Sequence, residues 1–177
     1  MYRINELLTI NRRLFHTNDL AILWGMENRQ TLYTTVSRYL DRGVLFQIYK
    51  GLYSTLPLDA LDPVEVGQAV IHRYAYLSTE TVLAQAGVIS QLVYDWTFVT
   101  DKSKRVQVGT WSFRCRQMKD EYLYHSAGIR VEKNGRIASP ERAVADLLYY
   151  NSHYHFDAPE LVDFKLVRQI QEQVGYG

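Results

Sequence analysis

Asn28-Arg29-Gln30-Thr31-Leu32-Tyr33-Thr34-Thr35-Val36-Ser37-Arg38-Tyr39-Leu40-Asp41-Arg42-Gly43 is the stretch whose reading decides the fold. Leu32, Val36, Tyr39 and Leu40 recur at three-to-four spacing, the single apolar stripe of an amphipathic helix. Asn28 is placed to cap that helix through its side-chain oxygen, and Gly43 to end it. At about 100° per residue, Gln30, Thr31, Thr34 and Arg38 fall opposite the stripe, flanked by Thr35 and Ser37. The outward face therefore carries uncharged hydrogen-bonding groups and arginine, with no aliphatic side chain. Glutamine and arginine can make paired hydrogen bonds to base edges, and threonine can donate, accept or touch a thymine methyl. A merely solvated helix face uses the same residue types, so the helix alone leaves both readings open.

The flanking segments narrow the choice. Upstream, Thr17-Asn18-Asp19-Leu20-Ala21-Ile22-Leu23-Trp24-Gly25 reads as a short helix, capped by Thr17 or Asn18 and stopped at Gly25. Downstream, Val44, Phe46 and Ile48 alternate with Leu45, Gln47 and Tyr49, the period-two pattern of a strand. Lys50-Gly51 can make a tight turn, and Leu52 to Thr55 returns as a second strand. Short helix, turn, longer helix and hairpin is the order of a winged helix-turn-helix. Such a hairpin suits a wing along a phosphate backbone with Tyr49 and Lys50 at its tip, and it can equally complete a small core. The candidate DNA-contacting residues are thus Arg29, Gln30, Thr31, Thr34, Ser37, Arg38, Tyr49 and Lys50.

With these residues in view, the run Thr35-Val36-Ser37-Arg38-Tyr39-Leu40-Asp41-Arg42-Gly43-Val44-Leu45, followed by Tyr49-Lys50-Gly51-Leu52-Tyr53, resembles the N-terminal winged helix of AbiEi-type antitoxins. These belong to the abortive-infection, type IV toxin–antitoxin systems.

The chain has 177 residues, 47% of them hydrophobic and 22% charged, the composition of one ordinary globular domain or two small ones. Met1-Tyr2-Arg3-Ile4-Asn5-Glu6 is no signal peptide, and no apolar run has the length of a membrane span. A single cysteine, Cys115, excludes an internal disulfide. A cytoplasmic location is expected. Net charge is only +1, but it is unevenly spread: residues 1–57 hold seven Lys/Arg against four Asp/Glu, and the remainder thirteen against fifteen. The positive excess sits where DNA contact is expected and is too small for indiscriminate binding to polyanions. Within those first 57 residues, 3–10 read as a helix with Ile4, Leu7, Leu8 and Ile10 inward.

A boundary after residue 57 then separates a winged helix-turn-helix, 1–57, from a second domain, 58–177. Asp62-Pro63-Val64-Glu65 opens a helix running to about Tyr74, and Ser78-Thr79-Glu80 caps another that ends at Gly87. Beta-type runs follow at 93–100, 106–108, 111–118, 129–133 and 136–138. Ser139-Pro140-Glu141-Arg142-Ala143 is a strong helix start with Ala143, Val144, Leu147 and Leu148 inward. Asp157-Ala158-Pro159-Glu160 is read as the cap of a last helix whose stripe is Val162, Leu166, Ile170 and Val174. The expected fold class is α+β, with a mixed second domain built on a small, mainly antiparallel sheet.

The second domain extends the likeness. Ala75-Tyr76-Leu77-Ser78, Ala86-Gly87-Val88 and above all Ile137-Ala138-Ser139-Pro140-Glu141-Arg142-Ala143-Val144-Ala145-Asp146-Leu147-Leu148 resemble the C-terminal domain of AbiEi-type antitoxins. The resemblance implies a repressor of its own operon that binds inverted repeats in double-stranded DNA, with oligomerisation on the operator open. It also implies a nucleotidyltransferase toxin as partner; from the residues themselves, no cofactor, metal or catalytic role is expected. Family members run on with further helices beyond this chain's last, which leaves the toxin-binding surface unassigned. A regulator unrelated to a toxin is the nearest alternative.

Other constellations have duller explanations. His153, His155 and Asp157 hold metal-ligand types in an extended segment, but a polar loop with Asp157 as cap accounts for them. Asp163-Phe164-Lys165 has the form used by some metal-dependent nucleases, yet that chemistry needs the pair on a strand and the apolar spacing here is helical. Arg142 and Asp146 are spaced for an internal i, i+4 pair. Tyr122, Tyr124, Tyr149, Tyr150 and Tyr154 hint at an interface, and Lys102, Lys104, Arg105, Arg114 and Arg116 form a second basic group.

Overall fold

The computed structural model describes residues 2–176. The chain divides into two compact units with the boundary between Asp62 and Pro63, five residues beyond the cut expected after residue 57. The difference is the 3-10 turn Leu58–Ala60 and the buried Leu61 that follows it.

In the first unit the elements are α1 (Tyr2–Thr9), β1 (Leu14–His16), α2 (Thr17–Leu23), α3 (Arg29–Asp41), β2 (Phe46–Tyr49) and β3 (Leu52–Ser54). The strands make an antiparallel sheet in the order β1-β3-β2. Strand β1 is too short to show a period in sequence; it exists because β3 offers it a partner, with Phe15 opposite Tyr53. Leu7, Phe15, Leu20, Trp24, Leu32, Val36, Tyr39 and Leu45 form one core, with Trp24 and Tyr39 rings 5.6 Å apart. Leu8 and Ile10, expected inward, are exposed, because α1 buries only the Leu7 side. Helix α2 starts one residue earlier than expected. His16 holds the cap position, and the Asp19 side chain accepts its backbone N–H at 2.8 Å, so neither Thr17 nor Asn18 is the cap.

In the second unit, α4 (Pro63–Ile71), β4 (Ala75–Leu77), α5 (Thr79–Gln85), β5 (Asp95–Thr100), β6 (Lys104–Val108), β7 (Trp111–Gln117), α6 (Asp120–Leu123), β8 (Ile129–Glu132), β9 (Gly135–Ala138), α7 (Pro140–Tyr150) and α8 (Phe164–Val174) follow in order. One six-stranded sheet runs β6-β7-β5-β4-β9-β8. The pairs β5–β7 and β4–β9 are parallel and the other three antiparallel, so the sheet is larger and more mixed than expected. The fold class is α+β.

Strand alternation puts helices on both faces. Phe98 and Phe113 meet α4 at Gly67, where a Cβ would come within 2.6 Å of the Phe98 ring. Thr97 points the other way and exchanges hydrogen bonds with Thr81 of α5: Thr81 N–H donates to Thr97 Oγ1 at 3.1 Å and Thr97 N–H to Thr81 Oγ1 at 2.8 Å. Ser78 does not cap α5 through its side chain; its hydroxyl instead donates to Asp146 at 2.7 Å.

That bond enters a buried ionic network. Arg142 and Asp146 are both fully buried and joined at 2.8 Å. The guanidinium also donates to the carbonyls of His125 and Ala127 and to the Tyr76 hydroxyl, while Asp146 accepts from Tyr176 at 2.5 Å. Burial alone would lower the Arg142 pKa; Asp146, Tyr76 and Tyr176 together raise it above its ordinary value. A charge pair withdrawn from water is tolerable only with its remaining hydrogen-bonding capacity met, as here. Asp157, by contrast, is not a helix cap. It accepts from Ser90 N–H and hydroxyl at 2.7 and 2.8 Å, which hold its carboxyl below the ordinary value. The last helix begins later, at Asp163, whose Oδ1 accepts from Lys165 and Leu166 N–H, so Val167 takes the inward place expected for Leu166.

Candidate nucleic-acid interface

Helix α3 is held at both ends as its sequence requires. Asn28 Oδ1 accepts from Thr31 N–H at 3.1 Å, and Gly43 follows the last turn with φ at +64°. Leu32 and Val36 are each 2% exposed and Tyr39 9%, while Leu40 is partly buried, so the inward stripe takes the packing and leaves the opposite face outward. Arg29, Gln30, Thr31, Thr34, Ser37 and Arg38 are all exposed. The face is not wholly free, however. Thr34 donates its hydroxyl to the Gln30 carbonyl at 2.9 Å, and Thr35 donates to Thr31 at 2.8 Å. Thr34 therefore presents its methyl and its oxygen lone pairs, rather than a hydroxyl donor.

Two neighbours were missed in sequence. Tyr33 is 47% exposed on the flank of the same helix, where its spacing from Leu32 alone could not place it. Asp41 lies on the outward face at the C-terminal end, at an angle between Gln30 and Thr34, and brings a negative charge there.

Tyr49 and Lys50 are exposed at the tip of the β2–β3 hairpin. The pairing register slips between Gln47 and Tyr49, so that Tyr49 sits opposite Leu52 and the turn closes at Lys50-Gly51. Gly51, at φ +72°, accepts from both the N–H and the hydroxyl of Thr17 through its carbonyl, at 3.0 and 3.3 Å. A Cβ on Gly51 would lie 3.3 Å from that hydroxyl, so the turn is tied to the start of α2 by a contact that only a bare backbone fits comfortably. Beside it, Arg12 is paired with Asp19 and lies over the Phe15 ring at 5.5 Å, which removes one cation from the free set.

No protein-family model matches this chain, and no curated protein matches it.

The remaining sequence candidates occupy structural positions. Asp163 spends its carboxylate on the N-terminus of α8, and Lys165 lies on that helix, not on a strand. Among the described residues, no group of three or more His, Cys, Asp or Glu side chains is placed to hold a metal ion, and no helix is long and apolar enough to cross a membrane. Tyr122, Tyr149 and Tyr176 pack together through edge-to-face and tilted ring contacts, Tyr150 joins them through Tyr149, with centroids 5.1–5.8 Å apart, and Tyr124 packs on Tyr74 at 5.0 Å. Most of the tyrosine surplus is therefore internal packing of the second unit.

Proposed function

We propose that the first unit is a winged helix-turn-helix that reads DNA with α3, and that the protein is an AbiEi-type antitoxin repressing its own operon. One observation carries the DNA-binding part: a capped, core-anchored helix whose outward face holds Arg29, Gln30, Thr31, Thr34, Ser37 and Arg38, all exposed. In helix-turn-helix proteins the N-terminal residues of the second helix meet base edges, and the donors and acceptors here are concentrated toward that end. Asp41 lies at the other end, where repulsion from phosphates is least harmful. Lys50, on a turn fixed to α2, would neutralise a neighbouring phosphate. The antitoxin part rests on the likeness of the Ser139 to Leu148 stretch, and its partner would be a nucleotidyltransferase toxin.

The test is a mobility shift of the DNA upstream of the protein's own gene. The full chain should retain a specific fragment, and a Gln30/Thr34/Arg38 triple alanine variant should lose specificity while keeping its melting temperature. Lys50→Ala should weaken all sequences alike and reduce the salt slope by about one. Unchanged operator affinity in the triple variant removes α3 from the readout.

A further inference from the structure

The second unit has a charged surface that neither the fold nor the DNA reading uses. Strands β6 and β7 pair with Arg105 directly opposite Arg114, and Arg116 lies two residues further along the same side. Three guanidinium groups thus share one face of the sheet edge. Facing like charges across a strand pair is unfavourable unless something negative is near. Arg105 has Asp95, at 2.6 Å, and Arg116 has Glu80. Arg114 is exposed and makes no ion pair or hydrogen bond with a described side chain. One positive charge is left over, between two arginines already held in place.

Two grooves meet at this point, and both are lined by Arg105 and Arg114. The larger, of about 710 Å³, is closed at one side by Tyr150, whose ring lies 5.1 Å below the Arg116 guanidinium. The Arg116 Nε, the Glu80 Oε2 and the Tyr150 hydroxyl, all sealed from solvent, find no hydrogen-bond partner among the described residues. Arg116 and Glu80 are occupied with each other, which leaves Arg114 as the guanidinium open to the grooves. The smaller groove, of about 320 Å³, is walled by Leu92 and Tyr94, each 81% exposed. A solvent-facing tyrosine beside an arginine without an ion pair is the pairing used to stack an unpaired base while holding its phosphate.

We propose that this face of the second unit binds a nucleotide with an unpaired base, its phosphate on Arg114 and its base against Tyr94. The ligand is either a free nucleoside phosphate or a unit of a single strand, since both present the same chemistry. Asp95 and Glu80 are paired with Arg105 and Arg116, so Arg114 alone is left to meet a single anionic group. All residues of the site belong to the second unit, and none lies on α3.

The experiment uses the full chain in the Gln30/Thr34/Arg38 triple alanine background, which silences α3. Two probes are titrated by fluorescence: a labelled adenosine triphosphate analogue and a short labelled single-stranded oligonucleotide. At least one should bind, and Arg114→Ala and Tyr94→Ala should each weaken it roughly tenfold while Tyr94→Phe retains it. Both positions are exposed, so melting temperatures should not move. Binding of the triphosphate alone identifies a free nucleotide; binding of the strand alone identifies single-stranded nucleic acid. Failure of both probes overturns the proposal. Binding insensitive to Tyr94→Ala, or duplex competing as well as single strand, overturns it too, because neither requires an unpaired base.

Discussion

Helices α3 and α7 are each capped by a polar side chain, Asn28 and Ser139, and each carries an arginine and an aspartate. In α3, Arg38 and Asp41 face water; in α7, Arg142 and Asp146 are fully buried and bonded to each other. The difference lies in what covers the polar side. The outward face of α3 makes no packing demand, and its residues are free to be chosen for what they touch. The Arg142–Asp146 pair of α7 is enclosed by Tyr76, Tyr176, Ser78 and the backbone at His125 and Ala127, so its charges are matched from within. The same residue types therefore specify architecture in one helix and are available for recognition in the other.

The sharpest way to break this comparison is to remove one partner of the buried pair. Asp146→Ala leaves the Arg142 charge uncompensated and should destabilise the second unit by about 3–5 kcal/mol, read by denaturant unfolding with the emission of Trp96 and Trp111. Next, Tyr176→Phe removes one hydrogen bond to the Asp146 carboxylate and should cost about 1.5–3 kcal/mol in the same assay. Negligible losses in both would mean the network does not hold the unit together.

Alkaline pH should act in the same direction. Burial pushes the Cys115 thiol from 9.0 to about 11, and burial, with Asp146, pushes the Tyr176 hydroxyl above 10.0. Both groups hold their protons more tightly folded than unfolded, so above pH 9 the unfolded state binds fewer protons and stability falls as pH rises. The contribution is whole below pH 9 and is lost through pH 9–11 for the thiol, with the tyrosine following. Melting temperatures across that window should drop, and Cys115→Ala should flatten the first part of the decline.

The effects at α3 should be smaller for stability and larger for binding. Asn28→Ala removes the cap and should cost about 1 kcal/mol. Arg38→Ala should change stability by no more than about 0.5 kcal/mol yet weaken specific DNA binding by about 1–3 kcal/mol. An Arg38→Ala variant that melts early and binds normally would reverse the assignment of α3 and α7.

Much of this arrangement was legible in the chain. The stripe Leu32, Val36, Tyr39 announces α3, Asn28 and Ser139 announce their caps, and the i, i+4 spacing announces the Arg142–Asp146 pair. The strands β1 and β4 were not legible, because three residues carry too little period and their partners, β3 and β5, are distant in sequence. Asp157 and Asp163 could not be ranked as caps from sequence, since both precede helical turns and only Ser90 distinguishes them. Of the candidate site, the residues on α3 were readable from their angles; the Thr34 hydroxyl bond and the exposure of Tyr33 were not.

What the sequence by itself determined is local: which segments turn, which residues share a helix face, and where a helix begins. Those follow from backbone periodicity and from side chains that bond their own neighbours. The tertiary structure alone decided that Arg142 is sealed while Arg114 is open, that Arg105 stands opposite Arg114, and that Tyr94 stands beside them. Burial, pairing register and groove shape arise from contacts between residues far apart in the chain, and no window along it contains them.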